Sequence, residues 1–445
     1  MTPHLYAVAL ALVGLNFPHA AADTLTVCES GCAHDSIQDA INAAIPGDVI
    51  EVSAGEYFEI NVNPGGKAIT IRGEVGLKTG EPLVVINGGG VDGSCLLCIT
   101  GETSATVFEN LRLVGGGGTE DPGLAGTYAG GIFIRSSGPT FRNIWADGNL
   151  HGQVYCNSGD STFENCRFIN NPDQGWLNKT AVYQTVGWQL DACHMEFLNC
   201  EFTDNHGEFA GAMYAQHWEG STLRMEGCTF TGNVGNSAGG ININGPEEGN
   251  TGYASTLLVG CTFINNTGTA SYNGTGAIWS RANIRIEGCE ITGNQGVKYG
   301  GIGLSLPMDD FGMTIPGSYL YTKSSNVCGN SLPQVAPYAC PEPLVVNEDL
   351  TNCLYDVCAD CSYIGGSELG SCCTEGGCLA LTSADCESLG ATWVESDASC
   401  ENCPSTSTST CPADTNGDSV VDGQDLAAVL AAWGLPCGTG AGGGG

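Results

Sequence analysis

The chain has 445 residues, 67 of them Gly and 24 Cys, and sets 48 Asp plus Glu against 13 Lys plus Arg, a formal net charge of −35. Such a surface repels phosphate backbones, which excludes nucleic acid as a partner, and it disfavours polyanionic ligands unless cations bridge them. The length and glycine content fit several turn-rich units.

At the N-terminus an apolar run from Leu5 to Leu15 is followed by "NFPHAAADT", whose small residues Ala20 and Ala22 suit cleavage before Asp23. This predicts a signal peptide over residues 1–22, although only His4, and no Lys or Arg, precedes the run. The run is short for a bilayer span, and no later stretch offers about 18 apolar residues in a row, so no transmembrane span is expected. Export to an extracellular or cell-surface location would also suit the even cysteine count. Next comes "DSIQDAINAAIPGDVIEVSAGEYFE" (Asp35 to Glu59), which predicts an amphipathic helix with Ile37, Ala40, Ile41 and Ala44 on one face, then a turn and a first strand.

Over the following 200 residues one short pattern recurs. "CRFINN" at Cys166 returns as "CEFTDN" at Cys200, "CTFTGN" at Cys228, "CTFINN" at Cys261 and "CEITGN" at Cys289, while Leu111 and Ile144 fill the same slot earlier. The intervals of 33, 22, 34, 28, 33 and 28 residues are those of a solenoid. Two residues after the mark stand Leu113, Ala146, Phe168, Phe202, Phe230, Phe263 and Ile291, the alternation of a half-buried strand. Five after it stand Asn149, Asn171, Asn205, Asn233, Asn266 and Asn294. Asn tolerates left-handed backbone and bonds locally at turns, so this column is expected at one bend with its amides stacked between coils. A second strand is predicted after each turn, at "GGIFI" (Gly130), "GAMYA" (Gly211), "GGININ" (Gly239), "GAIWS" (Gly276) and "GGIGL" (Gly300).

Short strands with sharp turns and no helical periodicity predict an all-β parallel β-helix of about ten rungs, roughly 50 Å long at the ~4.8 Å spacing of neighbouring strands. The five cysteines, interchangeable with Leu111 and Ile144, then read as stacked inward residues that stay unreacted in the native protein. Metal ligation and nucleophilic catalysis are the sharper alternatives, but a periodic column supplies neither a ligand cluster nor an activating base.

The stretch from Asp35 to Glu59 resembles the opening of pectin-lyase-like right-handed parallel β-helices, in which a helix covers the open end of the core. The paired FxxN and GGI or GAI motifs resemble polymorphic outer-membrane passenger domains, which are β-helical adhesins. These resemblances imply a right-handed solenoid with an N-terminal capping helix over residues 23–340. "NVCGNSLPQVAPYAC" (Asn326 to Cys340) reads as its closing loop, with Cys328 and Cys340 as a bridge.

A Cys-rich segment over 341–404 ("GSCCTEGGC", "ADCESLG", "ASCENC") predicts a small disulfide-stapled module. Zinc held by Cys358, Cys361, Cys400 and Cys403 is the alternative. A Ser/Thr linker follows at 405–410, then a unit at 411–437 and a Gly-rich tail at 438–445. Within that unit "DTNGDSVVDGQD" places Asp414, Asn416, Asp418, Val420, Asp422 and Asp425 at loop positions 1, 3, 5, 7, 9 and 12, an oxygen set suited to Ca2+. With the "DLAAVLAAWG" that follows, it resembles half of a type I dockerin. This implies attachment to a cohesin-like or cell-surface anchor, although a complete dockerin has two loops and this chain has one.

Enzymes with the pectin-lyase-like fold need either a calcium carboxylate cluster with a basic residue or paired acids. The hydrolase signature is missing: no RxK occurs, "NHG" at Asn205 to Gly207 stands where "GHG" is expected, and Asp309 with Asp310 lacks companions. Arg135, Arg142, Arg224 and Arg281 could serve a lyase, but spacing joins none of them to carboxylates. The candidate acid/base group is "DNHGEFAGAMYAQHWEG", with His206, Glu208, His217 and Glu219. The candidate sugar-binding aromatics are Trp176, Tyr183, Trp188 and Trp218, in or beside longer loops. The chain therefore reads as an exported, calcium-binding β-helix that binds a polysaccharide or cell-surface glycan. A polysaccharide lyase or glycoside hydrolase, and a structural or adhesive surface protein, are the alternatives. Aromatics along one side favour glycan binding, carboxylates facing an Arg favour a lyase, and a bare regular surface favours adhesion.

Overall fold

The structure, a computed structural model, describes residues 22–331 apart from 123, 173–179, 186–191, 218–219, 246–252, 272 and 305–317. Beyond them it describes the strands 335–336, 345–347, 363–364, 367–368, 370–374, 377–381 and 392–394. Two units are distinguished, Met1–Asn352 and Cys353–Gly445. In the second, Ser371–Cys373 of the strand Gly370–Thr374 pair antiparallel with both Gly377–Leu381 and Thr392–Val394.

The first unit is a parallel β-helix. A representative coil runs through His194–Leu198 and Glu201–Thr203 in a 20-stranded sheet, then His206–Gly207 in a four-stranded sheet, then Met213–Gln216 in a nine-stranded sheet. The next coil repeats it, so that Phe197 lies beside Met225, Phe202 beside Phe230, and Met213 beside Ile241. The strand Val345–Asn347 still pairs with Leu320–Thr322, which puts paired strand beyond residue 340, the expected end of the solenoid.

The recurrent mark behaves as a core position. Leu111, Ile144 and the five cysteines are all buried, and the five thiols are free. Each thiol reaches a carbonyl of the preceding coil, as Cys200 does to Phe163 at 3.4 Å and Cys228 to Phe197 at 3.4 Å. The neighbouring Cys200 thiol, together with burial, pushes Cys228 up to about 12, which suppresses the reactive thiolate. Beside this column the phenylalanines stack, Phe202 on Phe230 at 4.5 Å and Phe230 on Phe263 at 4.3 Å. Each fully buried ring contributes about 1.5–3 kcal/mol.

The Asn column is an amide ladder. Asn205 Nδ2 donates to Asn233 Oδ1 at 2.9 Å, Asn233 to Asn266 at 2.8 Å, Asn266 to Asn294 at 2.8 Å and Asn294 to Asn330 at 2.8 Å. The left-handed backbone falls one residue earlier than the ladder, on Asn170, Asp204, Gly232, Asn265 and Gly293, with φ between 52° and 67°. The ladder Asn is thus kept for its amide, while the bend is made by the residue before it.

The paired glycines of the second strand have a steric cause. A Cβ on Gly239 would sit 2.3 Å from Thr267 N and 2.4 Å from Gly276 O of the next coil, so the coils pass too closely there for any side chain. The helix forms at Ile37–Ala43 with Ile37, Ala40 and Ile41 buried, and packs on the strands Thr24–Val27 and Val49–Val52. Glu59 accepts from the Ile37 and Gln38 amides at 2.7 and 3.0 Å, and Lys67 Nζ donates to the Ile41, Asn42 and Ala44 carbonyls at 2.7–3.0 Å. Both orphaned ends of the helix are therefore met by charge of the favourable sign. Cys28 and Cys32 form a disulfide. Cys328 is also disulfide-bonded, and its expected partner Cys340 lies outside the described residues.

Candidate functional site

Side chains alternate across a strand. In the nine-stranded sheet Ile132 and Ile134, Val154 and Cys156, Met213 and Ala215, and Ile241 and Ile243 line the interior. The residues between them face outward in register: Phe133, Tyr155, Tyr183, Tyr214, Asn242 and Trp279. A second outward column at the strand ends holds Arg135, Asn157, Thr185, Gln216 and Asn244. Of all the residues in these nine strands, Arg135 alone is charged.

One end of this face is closed. The hairpin Thr119–Asp121 and Leu124–Tyr128 covers it, with Tyr128 stacked on Tyr155 at 4.4 Å and Tyr155 wholly buried. Asp121 accepts from Tyr155 OH at 2.6 Å and Asn157 Nδ2 at 2.8 Å, with Arg135 Nε 4.0 Å away. A carboxylate so occupied is structural.

Further along, the face is covered less completely. Tyr183 and Trp279 are half-buried and Tyr214 is 6% exposed. Tyr214 packs against Tyr183 at 5.2 Å and against the exposed Phe209 at 4.8 Å. Trp279 lies parallel to Tyr299 at 6.2 Å. Amides fix the phenol: Asn244 Nδ2 donates to Tyr214 OH at 3.0 Å and Gln216 Nε2 at 3.3 Å, while the Thr185 hydroxyl donates to Gln216 Oε1. Flat apolar rings bordered by neutral donors and acceptors suit a ligand with apolar faces and many hydroxyls.

Three of the four expected acid/base residues are described. His206 and Glu208 belong to the four-stranded wall and the turn after it. His217 follows the strand Met213–Gln216 and points inside, 3% exposed, with Nδ1 2.8 Å from Ser255 Oγ. Burial, with the nearby His194, lowers its pKa to about 3, so it is neutral and enclosed, and its Nε2 meets no partner among the described residues. Glu219, Trp176, Trp188 and Trp218 lie outside the described residues, as do Asp414, Asn416, Asp418, Val420, Asp422 and Asp425. Of the expected aromatics, Tyr183 lies on the outward side of the nine-stranded sheet. Tyr214, Trp279, Gln216 and Asn244 escaped the sequence reading, although "GAMYA", "GGININ" and "GAIWS" place an outward residue just after each first strand residue.

A separate cleft of about 610 Å3 is lined by Glu102, Ser104, Ser137, Ser158 and Asp160 among others. Burial alone would raise the Glu102 pKa. Hydrogen bonds from the Thr100 hydroxyl and amide, Gly66 N and Ser137 Oγ instead hold it low and occupy both oxygens. Among the described residues no group of three or more His, Cys, Asp or Glu is placed to hold a metal ion.

Residues 92–251 and 130–306 match the family model described as "Right handed beta helix region", and the solenoid is a right-handed parallel β-helix. No match is found among curated proteins. Similar solved structures include ORF18 of Geobacillus virus E2, 14% identical with a TM-score of 0.48, covering 78% of this chain, which in turn spans 65% of that one. A rhamnogalacturonan lyase is 11% identical with a TM-score of 0.40 and coverages of 76% and 87%. A pectin methylesterase from Aspergillus niger is 13% identical with a TM-score of 0.34 and coverages of 73% and 93%. No activity is transferred from them.

Proposed function

We propose that this right-handed parallel β-helix is an exported protein that binds an uncharged polysaccharide along the outer face of its nine-stranded sheet. The observation that carries the reading is compositional and geometric at once. In a chain of net charge −35, nine in-register strands contribute no carboxylate and present the half-buried Tyr183 and Trp279, with the buried Tyr214 between them held by Gln216 and Asn244. Sugar rings stack on the aromatic faces and their hydroxyls exchange hydrogen bonds with the amides. A polyanion would be repelled by the field of the remaining surface, whereas a neutral polymer would not.

In this reading residues 1–22 direct export, the helix Ile37–Ala43 caps the solenoid, and the tail attaches the protein to a cohesin-like or cell-surface anchor. The tail would hold Ca2+ through Asp414, Asn416, Asp418, the Val420 carbonyl, Asp422 and Asp425. The test is retention of the full chain on insoluble cellulose and xylan against a polygalacturonate gel, at low and high salt and with calcium present. Unsaturated products and new reducing ends are followed in parallel. Retention on a neutral polymer, insensitive to salt and without product, is expected. Preference for polygalacturonate, or product release on any polymer, would replace this reading with an acidic-glycan binder or an enzyme.

A further inference from the structure

The five thiols of the inward column and the pair Cys156 and Cys193 are all buried and all unbonded in this structure, yet they are held differently. In the column each thiol turns to a carbonyl of the coil before it: Cys166 to Phe141, Cys261 to Met225 and Cys289 to Leu258, at 3.4–3.6 Å. Cys156 and Cys193 turn to each other, Sγ to Sγ at 3.1 Å. That is closer than the ~3.5–4.0 Å at which even the smaller carbon atoms settle without a bond.

Cys156 points inward from the strand Val154–Asn157, and Cys193 immediately precedes the strand His194–Leu198. The Cys193 backbone is pinned, its amide donating to Ser221 Oγ at 2.9 Å and its carbonyl accepting from Gln184 Nε2 at 2.6 Å. No other described cysteine competes for Cys156. Cys98 lies in register two strands away, through Ile134. Two spacings come to about 9–10 Å between Cα atoms, beyond the ~7 Å that a disulfide can bridge.

We infer that Cys156 and Cys193 form a disulfide in the mature protein, a covalent staple between two coils that encloses the Tyr183 strand in its loop. The chemistry is thiol–disulfide exchange. One thiolate attacks the disulfide of an oxidised acceptor, such as glutathione disulfide or a protein oxidoreductase, and the second thiolate displaces that acceptor's sulfur. One S–S bond forms and one is reduced, and the two protons given up by the protein thiols pass through water to the two sulfurs released from the acceptor, which leave as thiols. Both sulfurs are fully buried, so the exchange takes place while the coils are still open. The staple stands independently of the glycan reading.

The experiment is to refold the full chain in a glutathione redox buffer, quench with acid, alkylate under denaturing conditions and map proteolytic peptides without reduction. The expected result is one cross-linked species joining the peptides that carry Cys156 and Cys193, with Cys28 joined to Cys32 as a reference and the five column cysteines alkylated. Chain folded first under reductant and only then given glutathione disulfide is expected to form the 156–193 link at least about tenfold more slowly, because the closed coils must open first. Recovery of Cys156 and Cys193 as alkylated thiols, or of Cys156 linked to any other cysteine, overturns the inference.

Discussion

The two long sheets share one interior but carry opposite surfaces. Outward on the 20-stranded sheet, Glu51, Arg72, Glu109, Arg142 and Glu164 follow one another strand by strand in register. Arg72 pairs with Glu51 at 3.0 Å and also with Glu109, and Arg142 pairs with Glu164 at 2.9 Å. Outward on the nine-stranded sheet the same alternation delivers Tyr155, Tyr183, Tyr214 and Trp279 flanked by amides, with one Arg and no carboxylate. The fold requires only that inward positions be apolar or self-satisfied, so it is indifferent to what faces out. A charge ladder keeps a long parallel sheet soluble and resists edge pairing. An aromatic face does neither, which is why the difference between the two points to binding rather than to the fold.

The comparison can be broken most severely from inside. Phe230→Ala removes a ring stacked between Phe202 and Phe263, and both faces should suffer together, with about 3–5 kcal/mol lost in chemical denaturation. A pH-dependent effect, nil at neutral pH, belongs to the interior that the sheets share: His217 follows a strand of the nine-stranded sheet and lies 3.4 Å from Thr256 Oγ1 of the 20-stranded one. Unfolded, it takes up a proton near pH 6.5; folded, it does so only near pH 3. The stability it allows is therefore complete above pH 6.5 and is lost as pH falls from there towards 3, by up to ~1.4 kcal/mol per unit. His217→Gln should flatten that part of a stability-against-pH curve, and an unchanged slope would place the acid sensitivity elsewhere.

On the aromatic face, Trp279→Ala should weaken retention on a neutral glycan about tenfold, in line with the ~0.5–1.5 kcal/mol of a single aromatic contact, while the unfolding midpoint barely moves. The smallest effect belongs to the charged sheet. Arg142→Gln breaks a half-exposed pair and should cost under about 1 kcal/mol, less again in high salt, with glycan retention untouched.

How much of this was legible depends on what repeats. Cys166 and its four successors could be assigned inward because Leu111 and Ile144 occupy their slot, and a repeat exposes such equivalence. The amide ladder was legible too, but its bend was placed one residue late, since Asn, Asp and Gly share the left-handed position and mask it as a column. The strands Val154–Asn157 and Val182–Thr185 went unread because "QVYCN" and "AVYQT" lack the glycine pair that marked the others. The candidate site was the least visible part. Each coil contributes one outward ring, so Tyr183, Tyr214 and Trp279 meet only once the coils are in register. His217 read as a member of the candidate acid/base group, and nothing in its neighbourhood in the chain told of Ser255, 2.8 Å away across the coil.

The most direct test is native gel electrophoresis of the wild-type chain, Trp279→Ala and Arg72→Ala through a soluble neutral β-glucan, with a glycan-free gel as reference. The wild type and Arg72→Ala should be retarded alike and Trp279→Ala should run nearly free. Equal retardation of all three, or loss of retardation only in Arg72→Ala, would contradict the assignment of the aromatic face as the glycan-binding surface.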